Sequence, residues 1–539
     1  MNRFAALLGE RIRRDGVQLI LWTCGTALLA AAAAPGALQS YGSEQDRIEL
    51  LATVMANPVI LLFRGLPSGA GAATFVTFLI FPWLAILAAF MSTFLAVRHT
   101  RAEEEDGRME LISATPAGRG LPMLATVTHG VMANALIAVL VTAAFLANGF
   151  PTEGSWLAGC ATGAVGLVFL AIGLLSAQLV RTSRAANSVS VTALLLTFVL
   201  AGIGNALGTP SDDLQRRESS WLTWLSPFGW GENTRAYADD DWRYIALCAV
   251  AFVAVAVLAL ALQSVRDLGA GLVPERQGRA NARAALRSSS ALVWRLTYGS
   301  VIGWAIGGFL TGALSTSLGG VVDRVDAENP AVQQVLETLA GTGSPAAGVV
   351  VIFFTMVGIF CACCAVQTVV RARQEESRGS AEIVLALPMN RVRWLADFIV
   401  VGFAAVVIIA AAAVAGAALG ATDADGAPDL VRDAVVAAAG QVAAASVFLG
   451  STALVFVLAP RWTIAAGWTL IGLAAVVGLF GPLFDMPDWA VHLSPFDIAP
   501  VPVGADVDLR GLGWLVLAVG VGVAASLVLM RRRELATGG

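Results

Sequence analysis

Twelve runs of apolar residues, each about twenty residues long, dominate the sequence, starting near Val17, Ala72, Pro122, Trp156, Ala186, Arg243, Ala291, Gly348, Trp394, Arg432, Thr463 and Gly513. That is the length an α-helix needs to cross the hydrocarbon core of a bilayer. The other spanning architecture, a barrel, alternates apolar and polar residues along strands of about ten residues, and these stretches of Ala, Leu, Val and Gly do not alternate. With 57% hydrophobic and 13% charged residues and a mean hydropathy of +0.75, the chain is not a soluble globular domain. The expected fold is an all-α integral membrane protein with twelve transmembrane helices.

The basic residues decide two further points. All 34 are arginine; the sequence has no lysine. A phosphate-binding loop of the form G-x-x-x-x-G-K-[ST] needs its lysine to reach the nucleotide phosphates, so any use of ATP falls to a partner. If the N-terminus is cytoplasmic, 25 of the 34 arginines fall in cytoplasmic loops and tails, and most acids fall on the other face. This is the positive-inside pattern, with N- and C-termini both cytoplasmic, as an even number of spans requires.

The first span, with "AAAAAPGA" at 30–37, has some look of a secretory signal. Its lead-in is long and holds Glu10 and Asp15, and a basic lead-in followed by a span returns at 283–315, so the segment reads as structural. All six cysteines fall within predicted spans and read as small apolar packing residues. His99, His129 and His492 look scattered over two faces, which predicts neither a metal site nor a catalytic residue. Ser226 and Ser494, each beside proline, read as turn residues. No basic aromatic stripe points to nucleic acid.

Sliding the sequence on itself by 272 residues aligns "RAEEEDGRMELISATPAGR" (101–119) with "RQEESRGSAEIVLALPMNR" (373–391) without a gap, and eight of the nineteen positions are identical. "LSPF" at 225–228 returns at 493–496, and "RDL" at 266–268 returns as "REL" at 533–535. The chain therefore reads as two parallel six-helix repeats: a first half at 1–265, a cytoplasmic linker at 266–290 and a second half at 291–539. Parallel repeats about an axis along the membrane normal are a transporter architecture.

The repeated acidic segment is the main functional signal. On a helix, Glu103, Gly107, Glu110 and Ala114 form one stripe, with Leu111 and Ile112 as an apolar shoulder able to lie against the membrane end of the bundle. Pro116 and Pro388 end the two elements after about twelve to fourteen residues. A single acidic loop is ordinarily a solvated surface, with local ion pairs of about 0.2 to 0.5 kcal/mol. Two at equivalent places read as docking points for a partner present twice.

This pattern of glutamates, Gly, Glu-Leu/Ile-Ile/Val, Pro and Arg between the second and third of six spans resembles the coupling helix of ABC-2 (type V) exporter permeases. The doubled twelve-span form is similar to the polyketide-antibiotic (tetronasin-like) exporter permeases. The resemblance implies that Glu103, Glu104, Gly107, Arg108 and Glu110, with Glu375, Glu376, Gly379 and Glu382, lie in or beside helices that dock on two copies of a separate ABC ATPase subunit. ATP and Mg would then be bound by that partner, and no cofactor by this chain. It also implies that Pro227, Phe228, Pro495 and Phe496 sit in re-entrant segments that close an extracellular gate, for which interfacial tryptophans are an equal explanation. A cavity lined by spans 1, 2, 5, 7, 8 and 11 would carry a hydrophobic or amphipathic drug, antibiotic or lipid-like substrate outward. The setting is the plasma membrane, as a multi-pass protein of a bacterial inner membrane in contact with lipid.

Two other readings stay open. An ion-coupled carrier of the major facilitator type needs ionisable groups within the membrane, and the centres of the twelve windows hold almost none. A membrane assembly factor that only docks a cytoplasmic partner would have no substrate cavity.

Overall fold

In lipid every backbone N–H and C=O must be satisfied within its own segment, so apolar runs of this length close into helices. The computed structural model describes residues 3–56, 61, 64–113, 120–273, 288–325, 345–421, 427–480, 486–504 and 506–533. Among them are twelve helices long and apolar enough to cross a membrane: Arg3–Ser40, Ala72–Glu105, Gly120–Ala147, Thr152–Leu179, Ser183–Ala206, Arg243–Val265, Ser289–Leu318, Ala346–Ser377, Arg391–Gly420, Ala427–Leu458, Pro460–Leu479 and Leu512–Met530. They are spans 1 to 12 below. Every predicted run lies in one of them, and the chain is an all-α multi-pass membrane protein.

Local chemistry sets several helix starts. The Thr182 hydroxyl accepts the Ala185 N–H at 3.2 Å to open span 5, and the Asn390 side chain accepts the Arg393 N–H at 2.7 Å to open span 9. At 38 residues, span 1 is about 57 Å long against a core of about 30 Å, so its arginine-rich first turns reach beyond the hydrocarbon.

Contacts divide the chain into two units, Met1–Gly278 and Arg279–Gly539. In the first, span 4 is the central helix, packed on spans 2, 3, 5 and 6, while span 1 packs on spans 2 and 3. The second unit repeats these pairings with span 10 in the centre: 8 with 10, 9 with 10, 10 with 11, 10 with 12, 7 with 8 and 7 with 9. Small residues allow the close approach that packing in lipid depends on. A Cβ on Gly163 of span 4 would stand 2.8 Å from the Asn134 carbonyl oxygen of span 3; one on Gly308 of span 7 would stand 3.1 Å from that of Ile409 in span 9.

The connections between spans 5 and 6 and between spans 11 and 12 contain structure that the apolar runs do not announce. Each has a two-stranded antiparallel ribbon, Thr209–Pro210 with Arg217–Glu218 and Val501–Val503 with Asp506–Asp508. Each also has a short helix, Pro227–Glu232 in the first and Asp488–Val491 in the second. Of the 266–290 linker, residues 274–287 lie outside the described residues; before them, the Leu272 and Val273 N–H groups donate to the carbonyls of Gln178 and Leu179.

Candidate functional site

The two acidic loops share one backbone design. At the end of span 2 the helix Arg101–Glu105 stops, Gly107 takes a left-handed φ of +73°, and a second helix runs over Arg108–Ser113. Span 8 itself runs through Ser377, Gly379 has φ +75°, and Ser380–Leu385 follows. The glycine N–H bonds back to the Glu104 and Glu376 carbonyls at 3.1 Å each, and its own carbonyl receives the Glu110 and Glu382 N–H at 3.2 Å. A left-handed residue ends a helix, and glycine enters that region without a Cβ clash. The expected continuous stripe is therefore corrected over Glu103, Gly107 and Glu110, since the chain bends at each glycine and the acids on either side of it face different ways; Ala114 lies outside the described residues.

The second glutamate of each loop is internal. Glu104 receives Arg101 Nη1 at 2.8 Å and Arg266 Nη2 and Nη1 at 2.5 and 3.0 Å. Its counterpart Glu376 receives Arg533 Nη2 at 2.8 Å on both oxygens, and Arg373 Nη1 lies 3.5 Å away. Their side chains are 5% and 0% exposed. Arg266 and Arg533 are the arginines of the repeated "RDL" and "REL" just past spans 6 and 12, so the two echoes are halves of one clamp. Arg101 Nε also donates to the Ala177 carbonyl at 2.9 Å, and the Arg533 guanidinium lies 4.5 Å above the Phe456 ring. Placing Glu104 and Glu376 on a docking face is thereby corrected: each is spent on its own unit.

Glu103 is buried too, with Arg14 Nη1 3.2 Å away and Arg11 Nη2 at 3.9 Å. Its counterpart Glu375 is half-buried against Arg371 at 2.8 Å and the Ser380 hydroxyl at 2.5 Å. Past the glycines the surface opens. Glu110, Glu382 and Arg108 are exposed, Arg108 pairing with Asp106 at 2.6 Å. Leu111 and Ile383 are 75% and 74% exposed, whereas Met109 and Ala381 are buried. Of the expected apolar shoulder, Ile112 is half-buried but Leu111 is not; Met109 and Ala381 are the buried residues of the two turns, and Leu111 and Ile383 stand out beside the Glu that both turns share. Pro388 lies exposed three residues beyond the end of its helix; Pro116 lies outside the described residues.

Both "LSPF" segments are built alike. Ser226 Oγ donates to the Thr197 carbonyl of span 5 at 2.6 Å and accepts the Phe228 N–H at 3.2 Å, capping Pro227–Glu232. Ser494 Oγ donates to the Ala474 carbonyl of span 11 at 2.8 Å. Phe228 lies 5.1 Å from the Phe169 ring of span 4, and Phe496 stacks 5.0 Å from Phe448 of span 10. Pro227 is buried and Pro495 half-buried. The two serines and two phenylalanines thus anchor each segment to the fifth and fourth spans of its own unit. Beside the first anchor, the buried Glu232 accepts from Asn205 Nδ2 at 2.6 Å, and burial pushes its carboxyl up to about 8.

The expected scatter of histidines is corrected for two of the three. His99 and His129 meet edge to face, ring centres 5.6 Å apart, and both approach Asp15 Oδ2, His129 Nε2 at 3.2 Å. Each stands fifteen residues from Ala114 in the connection between antiparallel spans 2 and 3. That equal spacing levels them across the hairpin and is the signal that could have found the pair.

Two comparisons with known proteins bear on this geometry. Residues 286–531 match the family model described as the C-terminal domain of the multidrug efflux system permease Rv1217c. The chain is also 31% identical over 534 residues to the multidrug efflux system permease protein Rv1217c of Mycobacterium tuberculosis, covering 98% of this chain and 94% of that protein.

Proposed function

The chain belongs to the family of multidrug efflux system permeases, and from that premise we propose that it is the membrane subunit of an ATP-driven ABC exporter for hydrophobic or amphipathic compounds. Two copies of a separate ATPase subunit dock on the turns after spans 2 and 8. One observation carries this reading: the same left-handed glycine turn presents an exposed Glu-Leu pair in one unit and an exposed Glu-Ile pair in the other. An exposed aliphatic residue beside an acid, held on a fixed turn, suits a cleft with an apolar floor and a basic rim. Two such turns suit two copies of one partner. The absence of lysine, and so of a phosphate-binding loop, assigns nucleotide chemistry to that partner. The arginine distribution supports a cytoplasmic position for these turns and both termini.

The resemblance to ABC-2 permeases of the tetronasin-like kind belongs to this proposal. So does an outward gate built on the two "LSPF" segments, whose serine and phenylalanine anchors would hold it shut or let it tilt as a body.

The test is transport by inverted vesicles that carry the chain with and without a co-expressed ABC ATPase subunit, with a lipophilic fluorescent dye as substrate. The expected result is dye movement that needs both chains and hydrolysable ATP and survives collapse of the proton gradient. Dye movement by this chain alone, driven by a proton gradient, would establish the ion-coupled carrier instead.

A further inference from the structure

Asp15 of span 1, His99 after the main helix of span 2 and His129 of span 3 come from three different helices, yet each offers one ligand atom to a common point. One ligand atom from each lies within 4.8 Å of the other two, and the Nε2 atoms of His99 and His129 both approach Asp15 Oδ2. All three residues are at most 3% exposed. Two imidazole nitrogens and one carboxylate oxygen form a donor set suited to Zn²⁺ and its borderline neighbours; Ca²⁺ and Mg²⁺ prefer all-oxygen shells.

The surroundings fit such an ion. A metal-ligating histidine usually turns its other ring nitrogen to a carboxylate, and His99 Nδ1 faces Glu103 Oε1 at 3.5 Å. Glu103 is fixed in turn by Arg14. Asp15 Oδ1, the oxygen turned away from the histidines, lies 3.3 Å from Arg98 Nε. Three arginines stand near, which opposes a cation. Arg14 and Arg98 are about a third exposed and so screened by solvent, while Arg11 is turned onto the Pro122 carbonyl and the Thr126 hydroxyl.

We propose that Asp15, His99 and His129 form a divalent transition-metal site that staples spans 1, 2 and 3 together beneath the first docking turn. The site belongs to one half only. The 272-residue shift puts Arg371 in place of His99 and Val401 in place of His129, and Arg371 pairs with Glu375. An ion here would therefore stiffen one of the two turns and leave the other as it is. The assignment stands on these residues alone and is independent of the ATPase reading.

The experiment uses the full-length chain, purified in detergent without a polyhistidine tag, treated with chelator and titrated with Co²⁺ alone. Visible ligand-field absorption reports occupancy, and competing Zn²⁺ reports affinity. One saturable Co²⁺ per chain is expected, with nitrogen and oxygen ligation and no thiolate charge-transfer band, together with a Zn²⁺-dependent rise in unfolding temperature. The H99Q/H129Q variant, which keeps all six cysteines, should lose the signal. E103Q should keep the stoichiometry and bind about tenfold more weakly, as loss of an outer carboxylate does. Absence of saturable Co²⁺ binding by the folded native chain overturns the proposal, as does a thiolate band or binding that persists in the double-histidine variant. If that variant does not survive purification, the native spectrum and the E103Q affinity decide.

Discussion

At the scale of single residues, burial separates acids that look alike in sequence. Glu376 is fully enclosed between Arg373 and Arg533, and removing one member of a buried pair leaves uncompensated charge at a cost of about 3 to 5 kcal/mol. Glu376→Gln should therefore lower the unfolding temperature of the detergent-solubilised protein markedly. Glu382→Gln, at an exposed position, should shift it by no more than about 0.5 kcal/mol equivalent. Loss of transport on substituting Glu104 or Glu376 would thus report a broken fold and says nothing about docking. Glu232 behaves in the opposite sense. Its carboxyl is raised from 4.5 to about 8 by burial, so between those values the unfolded chain releases a proton that the folded chain retains. Stability attributable to this group accordingly falls as pH rises through that window and levels off above about 8. Glu232→Gln keeps the shape and carries no charge; it should match the native protein near pH 4.5 and unfold at a higher temperature at pH 8, read by thermal unfolding at both values.

At the scale of elements, the docking turns depend on backbone more than on side-chain contact. A Cβ on Gly107 or Gly379 would meet nothing within 4 Å, yet both positions have positive φ. Alanine there should therefore cost about 1 to 2 kcal/mol through conformation alone, and asparagine less. ATPase stimulation by partner and substrate should drop for G107A and G379A and recover partly for the asparagine variants. The "LSPF" anchor obeys a different rule, since Ser226 both caps one helix and holds span 5. Ser226→Ala should cost about 1 kcal/mol, measurable as a lower unfolding temperature with the short helix Pro227–Glu232 as its most affected region in hydrogen exchange.

At the scale of the molecule, duplication makes a prediction that neither turn makes alone. If Leu111 and Ile383 each seat one ATPase copy, L111D/I383D should abolish ATP-dependent dye transport while leaving the yield and unfolding temperature of the chain unchanged. The two single variants then measure whether the unequal turns contribute equally; full transport by the double variant would remove docking from these positions. Much of the architecture was legible in the sequence because the bilayer leaves few choices. Apolar runs of fixed length must be helices, as with all twelve here, and an ungapped repeat of nineteen positions carries its own statistics. Ribbons such as Thr209–Pro210 with Arg217–Glu218 were not legible, since two-residue strands carry no period. Nor was the fate of the acids. Glu103, Glu104 and Glu110 occupy one short string of charge, but the left-handed turn at Gly107 separates the first two, turned inward onto partners 89 and 162 residues away, from the third, which stands outward. Sequence alone determined the spans and their repetition, because hydrophobicity and identity are properties of the string. Only tertiary structure decided which charges are spent inside each unit and that two histidines meet an aspartate, because burial and side-chain contact are set by which helices pack together.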